Sequence, residues 1–173
     1  MSKLVTYDVS TLPSGWLTQA EADLLMGYVE LTEGPILEVG AYRGRSTVLL
    51  ARLGRVVYTV EPFEGFAKRD LSGERTEAVF KKATEALSNV ELFKQRIEDW
   101  SPIHVGFAYL DGDHTYQGTV NQIKKALLCN PKYIAVHDVN DSGGGVHVKK
   151  ACLDLLDPWR ERAGRLAVFR VGY

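Results

Sequence analysis

The sequence has few cysteines and no long apolar run. Cys129 and Cys152 are its two cysteines in 173 residues, and they do not form a C-x-x-C pair. We therefore expect buried free thiols in a reducing compartment. No apolar stretch approaches the about 20 residues that cross a bilayer, and the N-terminus lacks the pattern of a secretory signal peptide. We expect a cytoplasmic protein with no membrane partner.

Positive and negative charges are nearly balanced. The chain has 21 Lys and Arg residues against 22 Asp and Glu residues, a net charge of −1. Because no basic field covers the molecule, we expect no nucleic-acid partner. The short basic cluster Arg160, Arg162 and Arg165 is interrupted by Glu161 and is typical of a solvated surface. The length and a hydrophobic fraction of 45% predict a single domain over residues 1–173.

Alternating strand and helix signals predict an α/β fold. Thr18-x-x-Glu21 is a capping-box pattern that predicts a helix over about residues 19–31, within an N-terminal segment, 1–34, that we expect to cap the site. Short apolar runs then alternate with helical segments, as in a mostly parallel sheet with helices on both faces. The predicted strands are 35–39, 56–60, 90–94, 106–110, 133–136 and 166–171, the last paired with 159–164; the predicted helices are 48–53, 74–87, 117–128 and 145–156.

The run I-L-E-V-G-A-Y-R-G-R-S-T at residues 36–47 is the most informative segment. Gly40 and Gly44 let the backbone approach a ligand, and the helix that follows directs N–H groups at an anion. Glu38 favours a positive charge as well, so the pattern indicates an amino acid moiety such as that of S-adenosylmethionine. The spacing G-x-x-x-G lacks the G-x-G-x-x-G turn of dinucleotide folds, which disfavours an NAD-dependent oxidoreductase. A glycine-rich turn that binds nothing is the alternative.

Polar residues follow the other central strands, where open α/β sheets bind their ligands. Glu61 ends the second strand and can accept hydrogen bonds from both ribose hydroxyls of an adenosine. The alternative is that Glu61 caps the following loop. After the fourth strand comes Asp111-Gly112-Asp113-His114, and after the fifth comes His137-Asp138.

These carboxylates and imidazoles provide enough ligands for a divalent cation. Successive strand residues face opposite ways, so His137 and Asp138 reach one ion together only if the strand has already ended there. The alternative is a hydrogen-bonded loop that holds the cofactor amine without a metal.

The segment E-x-G-A-Y-x-G-x-S resembles motif I of class I S-adenosylmethionine-dependent methyltransferases. The run D-G-D-H-x-Y and the later H-D pair resemble the small metal-dependent O-methyltransferases of the catechol and macrocin type. The resemblance extends from about Trp16 onward. It implies a Rossmann-like sheet with strand order 3-2-1-4-5 and a final antiparallel hairpin, and methyl transfer to a hydroxyl of a small molecule or sugar.

The resemblance also implies roles for individual residues. The expected contacts of S-adenosylmethionine are Glu38, Gly40, Tyr42, Gly44, Ser46, Glu61, Arg96, Ile97 and Asp111. The expected ligands of a divalent cation, Mg²⁺ or Mn²⁺, are Asp111, His137 and Asp138. His114 is the expected general base and acts with Asp111 in catalysis, where the metal lowers the hydroxyl pKa.

Some features depart from the family pattern. Gln122 stands where relatives carry an acid, and His137 replaces an acid that would suit Mg²⁺ better. The loops 62–73 and 139–146 are available to shape the acceptor pocket, which a homo-oligomer could complete. The competing function is an S-adenosylmethionine-binding module without catalysis that serves regulation or assembly.

Overall fold

The computed structural model describes residues 7–64, 73–156 and 158–171. Helices and strands alternate along the chain as predicted. The helices are α1 (Gln19–Glu30), α2 (Arg45–Ala51), α3 (Gly73–Thr84), α4 (Tyr116–Leu128) and α5 (Gly145–Leu155), and the short 3-10 turns are Val9–Thr11 and Ile97–Asp99. The strands are β1 (Ile36–Val39), β2 (Val57–Val60), β3 (Val90–Phe93), β4 (Phe107–Leu110), β5 (Tyr133–Val136), β6 (Glu161–Ala163) and β7 (Leu166–Arg170).

The seven strands form one sheet in the order β3-β2-β1-β4-β5-β7-β6. The first five pair in parallel, and β7 runs antiparallel to both β5 and β6. The predicted α/β, Rossmann-like sheet with a terminal antiparallel hairpin is therefore confirmed.

Both faces of the central strands are buried because helices cover each side. Leu37 and Val39 of β1 belong to the core that includes residues of α4 and α5, whereas Ile36 belongs to the core that includes residues of α1 and α2. This alternation is the period of two expected of a strand. Glu38 shares the Ile36 face and is fully buried.

The register brings the carboxyl ends of the strands to one level. Val39 pairs with Val60 on one side and with Leu110 on the other, and Leu110 pairs with Val136. The residues that follow these four strands therefore emerge side by side at one edge of the sheet.

Cys129 and Cys152 are free and buried, as predicted. Within the described ranges, none of the helices has the length and apolar character that crossing a membrane requires.

Candidate active site

A cavity of about 570 Å³ lies beyond the carboxyl ends of β1, β2, β4 and β5. This volume is within the range of small-molecule and cofactor sites. The predicted site residues that line it are Gly40, Tyr42, Ser46, Glu61, Arg96, Ile97, Asp111, His114, His137 and Asp138. Glu38 and Gly44 do not line the cavity.

Glu38 is buried between β1, β2 and α2. Its Oε2 accepts hydrogen bonds from the hydroxyls of Thr47 at 2.6 Å and Thr59 at 3.0 Å, while Oε1 has no hydrogen-bond partner among the described residues. Burial raises the pKa of Glu38 to about 7. The side chain lies on the strand face that α2 covers and does not line the cavity. The sequence predicts direct contact between Glu38 and the cofactor ammonium, and this structure does not expose Glu38 for that contact.

Gly40 is required where two loops approach each other. Its φ is +86°, and a Cβ there would lie 2.3 Å from the carbonyl oxygen of Asp111. The sequence suggested that the ligand needs this space, but the backbone after β4 already fills it. Gly44 also has a φ of +86° and is the N-cap residue of α2.

Glu61 fixes the turn that follows β1. Its Oε2 accepts hydrogen bonds from the backbone N–H groups of Ala41 at 3.0 Å and Tyr42 at 3.1 Å, and its Oε1 accepts one from Phe63 N–H at 2.8 Å. The loop-capping alternative is thus present in the structure. A carboxylate has about four lone-pair positions, and three are used, so one remains available for a ribose hydroxyl. Binding of the ribose stays a prediction.

Arg96 and Ile97 follow β3 and also line the cavity. Arg96 Nε donates to Glu64 Oε1 at 2.9 Å, and its Nη2 pairs with Glu64 Oε2. This ion pair joins the loop after β2 to the loop after β3 at the cavity. The loop predicted at 62–73 is described only at its ends, because residues 65–72 lie outside the described residues.

Asp111, His114 and Asp138 converge at the edge of the cavity. His114 Nε2 is 3.5 Å from Asp111 Oδ1 and 3.5 Å from Asp138 Oδ2. This nitrogen is buried and has no hydrogen-bond partner in the described part of the chain. The nearby Asp111 carboxylate raises the pKa of His114. One ligand atom from each of the three residues lies within 4.8 Å of the others, an arrangement that fits a divalent cation.

His137 also lines the cavity, next to this group, and Nδ1 lies 3.8 Å from Asp138 Oδ2; its role as a metal ligand stays a prediction. Its side chain is 3% exposed, with Nδ1 3.3 Å from Asp111 Oδ1 and Nε2 3.5 Å from Glu21 Oε2. Burial opposes the charged imidazole, but the nearby carboxylates outweigh burial and raise the pKa of His137 to about 10. The strand ends before Asp138, whose φ is +57°, as the sequence argument required for two neighbouring residues to share a site.

Asp111 is held from several sides. Tyr109 donates its hydroxyl hydrogen to Oδ2 at 3.0 Å. Burial alone would raise the pKa of Asp111, but the charges of His137 and His114 hold it at about 2. The carboxylate is therefore ionised at neutral pH.

Gln122 organises the loop after β4. Its Oε1 accepts from Gly112 N–H at 3.1 Å, and its Nε2 donates to the Asp113 carbonyl oxygen at 2.8 Å. An ionised acid could not make the second bond, so the departure from the family pattern serves this loop.

Two contributions were missed by sequence reasoning. Arg45 Nε donates to the Leu17 carbonyl oxygen at 3.0 Å, and Arg45 Nη1 donates to the Pro13 carbonyl oxygen at 2.8 Å. Residues 15–17 line the cavity.

The second contribution is that of Glu21, which was assigned only to the capping box that it does form. Because that pattern accounts for Glu21 completely, no sequence signal indicated its contact with His137.

The sequence profile of the methyltransferase-domain family matches residues 37–139. A comparison with curated protein sequences gave no match.

Solved structures with the same fold are methyltransferases or bind a cofactor. The O-methyltransferase from Bacillus cereus in complex with SAH has 19% identity and a TM-score of 0.64 over 94% of this chain and 86% of its own. The TDP-rhamnose 3'-O-methyltransferase CalS11 has 18% identity and a TM-score of 0.64 over 91% and 83%. Cofactor-bound Rv0187 from MTB has 18% identity and a TM-score of 0.64 over 98% and 93%.

These likenesses show the fold. The family match covers both glycines of the first turn and the residues from Asp111 to Asp138. The chain therefore belongs to the methyltransferase-domain family and is an S-adenosylmethionine-dependent methyltransferase.

Proposed function

We propose that the chain transfers a methyl group from S-adenosylmethionine to a hydroxyl oxygen of a small molecule or sugar. The observation that carries this proposal is the convergence of Asp111, His114 and Asp138 on the cavity that Gly40 and Glu61 also line. The names of the Bacillus cereus and CalS11 structures, both O-methyltransferases, support an oxygen acceptor.

In this proposal the cofactor extends along the carboxyl ends of β1, β2 and β3. Tyr42 and Ser46 contact the methionine part, Glu61 the ribose, and Arg96 with Ile97 the adenine. Their shared position on the cavity wall supports the assignment. Glu38 contributes indirectly, because it holds Thr47 and Thr59 in place beside the first turn. The bound cofactor supplies a methyl group that its sulfonium already activates.

We assign a divalent cation, Mg²⁺ or Mn²⁺, to Asp111, His114 and Asp138. Two carboxylates and one imidazole are suitable donors, and the unpaired Nε2 of His114 supports a ligand at this position. We assign His114 in place of the predicted ligand His137, because one ligand atom from each of Asp111, His114 and Asp138 lies within 4.8 Å of the others. By contrast, Nε2 of His137 faces Glu21, and its Nδ1 lies 3.3 Å from Asp111 and 3.8 Å from Asp138. The cation would lower the pKa of the acceptor hydroxyl and fix its direction.

Without a cation, His114 is the residue placed to accept the hydroxyl proton. Its Nε2 is the acceptor atom, and Asp111 orients the ring from 3.5 Å. Alignment of the hydroxyl with the methyl group can supply about 7–11 kcal/mol in favourable cases. His114 cannot use the same nitrogen to bind a metal and to accept a proton. The two roles therefore predict different effects of metal removal on methyl transfer.

A labelled-methyl assay tests the proposed function. The protein is incubated with methyl-labelled S-adenosylmethionine and a panel of catechols, sugars and nucleotide sugars, with Mn²⁺ or with EDTA. The proposal predicts label on an acceptor oxygen. Bound cofactor with transfer only to nitrogen or carbon acceptors would contradict oxygen as the acceptor.

A further inference from the structure

Glu21 is a buried carboxylate that joins three parts of the chain. It is 2% exposed. Its Oε2 accepts from the N–H and the hydroxyl of Thr18, both at 2.8 Å, and its Oε1 accepts from Arg165 N–H at 2.8 Å. A buried charge is costly unless it is paired and hydrogen-bonded. The N-terminal helix is thereby tied to the turn between β6 and β7.

The fourth contact of Glu21 leads into the site. His137 Nε2 is 3.5 Å from Glu21 Oε2, and the other ring nitrogen, Nδ1, is 3.3 Å from Asp111 Oδ1. These two contacts are ion pairs, because neither ring nitrogen has a hydrogen-bond partner among the described residues. The imidazole therefore lies between the Glu21 carboxylate on α1 and the carboxylates of Asp111 and Asp138 at the site, and Asp111 is the nearer of these two.

The His137 ring contacts Oδ1 of Asp111, the carboxylate oxygen that also faces His114. Oδ2 of Asp111 accepts from Tyr109, whereas Oδ1 faces both His137 and His114. A ring held from behind by Glu21 keeps its Nδ1 directed at Oδ1. Without the Glu21 charge, the ring loses the carboxylate that faces its Nε2.

We infer that Glu21 is a positioning residue for methyl transfer, acting through the His137 imidazole on the Asp111 carboxylate. The inference rests on the proposed site for its functional meaning. A solely structural Glu21 would cap α1 and bind Arg165 N–H without affecting Asp111.

The test compares Glu21→Gln and His137→Gln with Thr18→Ala as the matched control. Thr18→Ala removes a hydroxyl bonded to Glu21 but leaves the Glu21 carboxylate facing His137. Carbon-13 NMR of labelled aspartate follows the Asp111 carboxyl resonance, identified by its loss in Asp111→Asn. Calorimetry measures S-adenosylhomocysteine affinity, and electron paramagnetic resonance measures Mn²⁺ affinity.

We expect Glu21→Gln and His137→Gln to shift the Asp111 resonance while Thr18→Ala leaves it in place. Mn²⁺ affinity should fall about 10- to 100-fold in Glu21→Gln, as for other residues that orient metal ligands, with S-adenosylhomocysteine affinity unchanged. An unchanged Asp111 resonance in folded Glu21→Gln would overturn the inference. If that variant does not fold, Glu21→Asp, whose shorter side chain withdraws the carboxylate from His137, decides by the same resonance: a shift supports the inference and an unchanged resonance overturns it.

A failure of the metal assignment can be distinguished from a failure of the inference about Glu21. Wild-type protein that binds no Mn²⁺ would refute the cation site, and the Asp111 resonance alone would then decide the role of Glu21.

Discussion

At the residue scale, the shape of the cavity depends on three residues that close contacts hold in position. Gly40 lies against the backbone of Asp111, Glu61 holds the turn after β1, and His114 lies between two carboxylates. Each makes a separate prediction.

Gly40→Ala should destabilise the protein and abolish cofactor binding. The new Cβ would lie 2.3 Å from the Asp111 carbonyl oxygen, so the loops after β1 and β4 must separate. Gly54→Ala is the control, because Gly54 also has a positive φ, +69°, but has nothing within 4 Å of a Cβ. The control should lose only about 1–2 kcal/mol from its left-handed backbone. Thermal unfolding and calorimetry with S-adenosylhomocysteine measure both effects, and equal behaviour of the two variants would contradict the account.

Glu61→Ala should weaken S-adenosylhomocysteine binding by about 1–3 kcal/mol through lost charged hydrogen bonds. The structure adds a second cause, since the turn at Ala41 and Tyr42 loses its acceptor. Glu91→Ala, at an exposed position of β3, is the control. Analogues of S-adenosylhomocysteine that lack the 2'- or the 3'-hydroxyl separate the two causes. If Glu61 binds the ribose, the difference in affinity between wild type and Glu61→Ala should be smaller for such an analogue. An undiminished difference would assign Glu61 to the turn alone.

His114→Gln should reduce turnover by roughly 10²- to 10⁴-fold if His114 is the base. Because Asp111 raises the pKa of His114 above its ordinary 6.5, the neutral imidazole that accepts a proton increases as the pH rises through that higher value. Wild-type turnover should therefore rise with pH there, and this acidic limb should vanish in the variant. His147→Gln, at an exposed residue of α5, is the control. Turnover near that of the wild type in His114→Gln would end the base assignment.

The candidate residues were found from sequence because they follow apolar strands directly. The contact between His137 and Glu21 was not, because it forms only when α1 packs against β6 and β7 in the folded chain. Residue types alone could not decide whether His137 faces a cation or a carboxylate.

At the scale of elements, the site is built from strand ends and from the segment preceding α1. The apolar runs predicted the strands to within one residue at most ends. The prediction for α2 began three residues late, because its N-cap is Gly44, which offers no side-chain hydrogen bond as a signal. The attachment of residues 13–17 by Arg45 has no local sequence pattern, so it could not be predicted.

Arg45→Ala should loosen this segment. The variant loses the hydrogen bonds to the carbonyl oxygens of Pro13 and Leu17, which hold the segment that carries Trp16 at the cavity. Amide hydrogen exchange should become faster over residues 14–18, whereas Arg52→Ala, which loses an exposed bond to Thr11, should leave these residues unchanged. Unaltered exchange in Arg45→Ala would show that other contacts hold the segment.

At the scale of the whole molecule, five parallel strands bring distant parts of the sequence to one cavity. The order of these strands and the alignment of their carboxyl ends follow from the α/β pattern and the family resemblance. The chemistry at the cavity depends on whether a cation binds, which the fold alone does not determine.

Chelation tests that dependence. EDTA should remove methyl transfer and leave S-adenosylhomocysteine binding largely intact, and Asp138→Ala should reproduce this result because it removes one proposed ligand. Asp154→Ala, at an exposed residue paired with Lys150 on α5, is the control. Full activity in metal-free buffer would rule out the cation and leave the loop as support for the cofactor.

The most direct test of the central claim, that the cavity at the strand ends binds S-adenosylmethionine, is a calorimetric titration with S-adenosylhomocysteine. The account predicts saturable binding at one site per chain, abolished by Gly40→Ala and retained by Gly54→Ala. Wild-type protein with no affinity for S-adenosylhomocysteine or S-adenosylmethionine would contradict it.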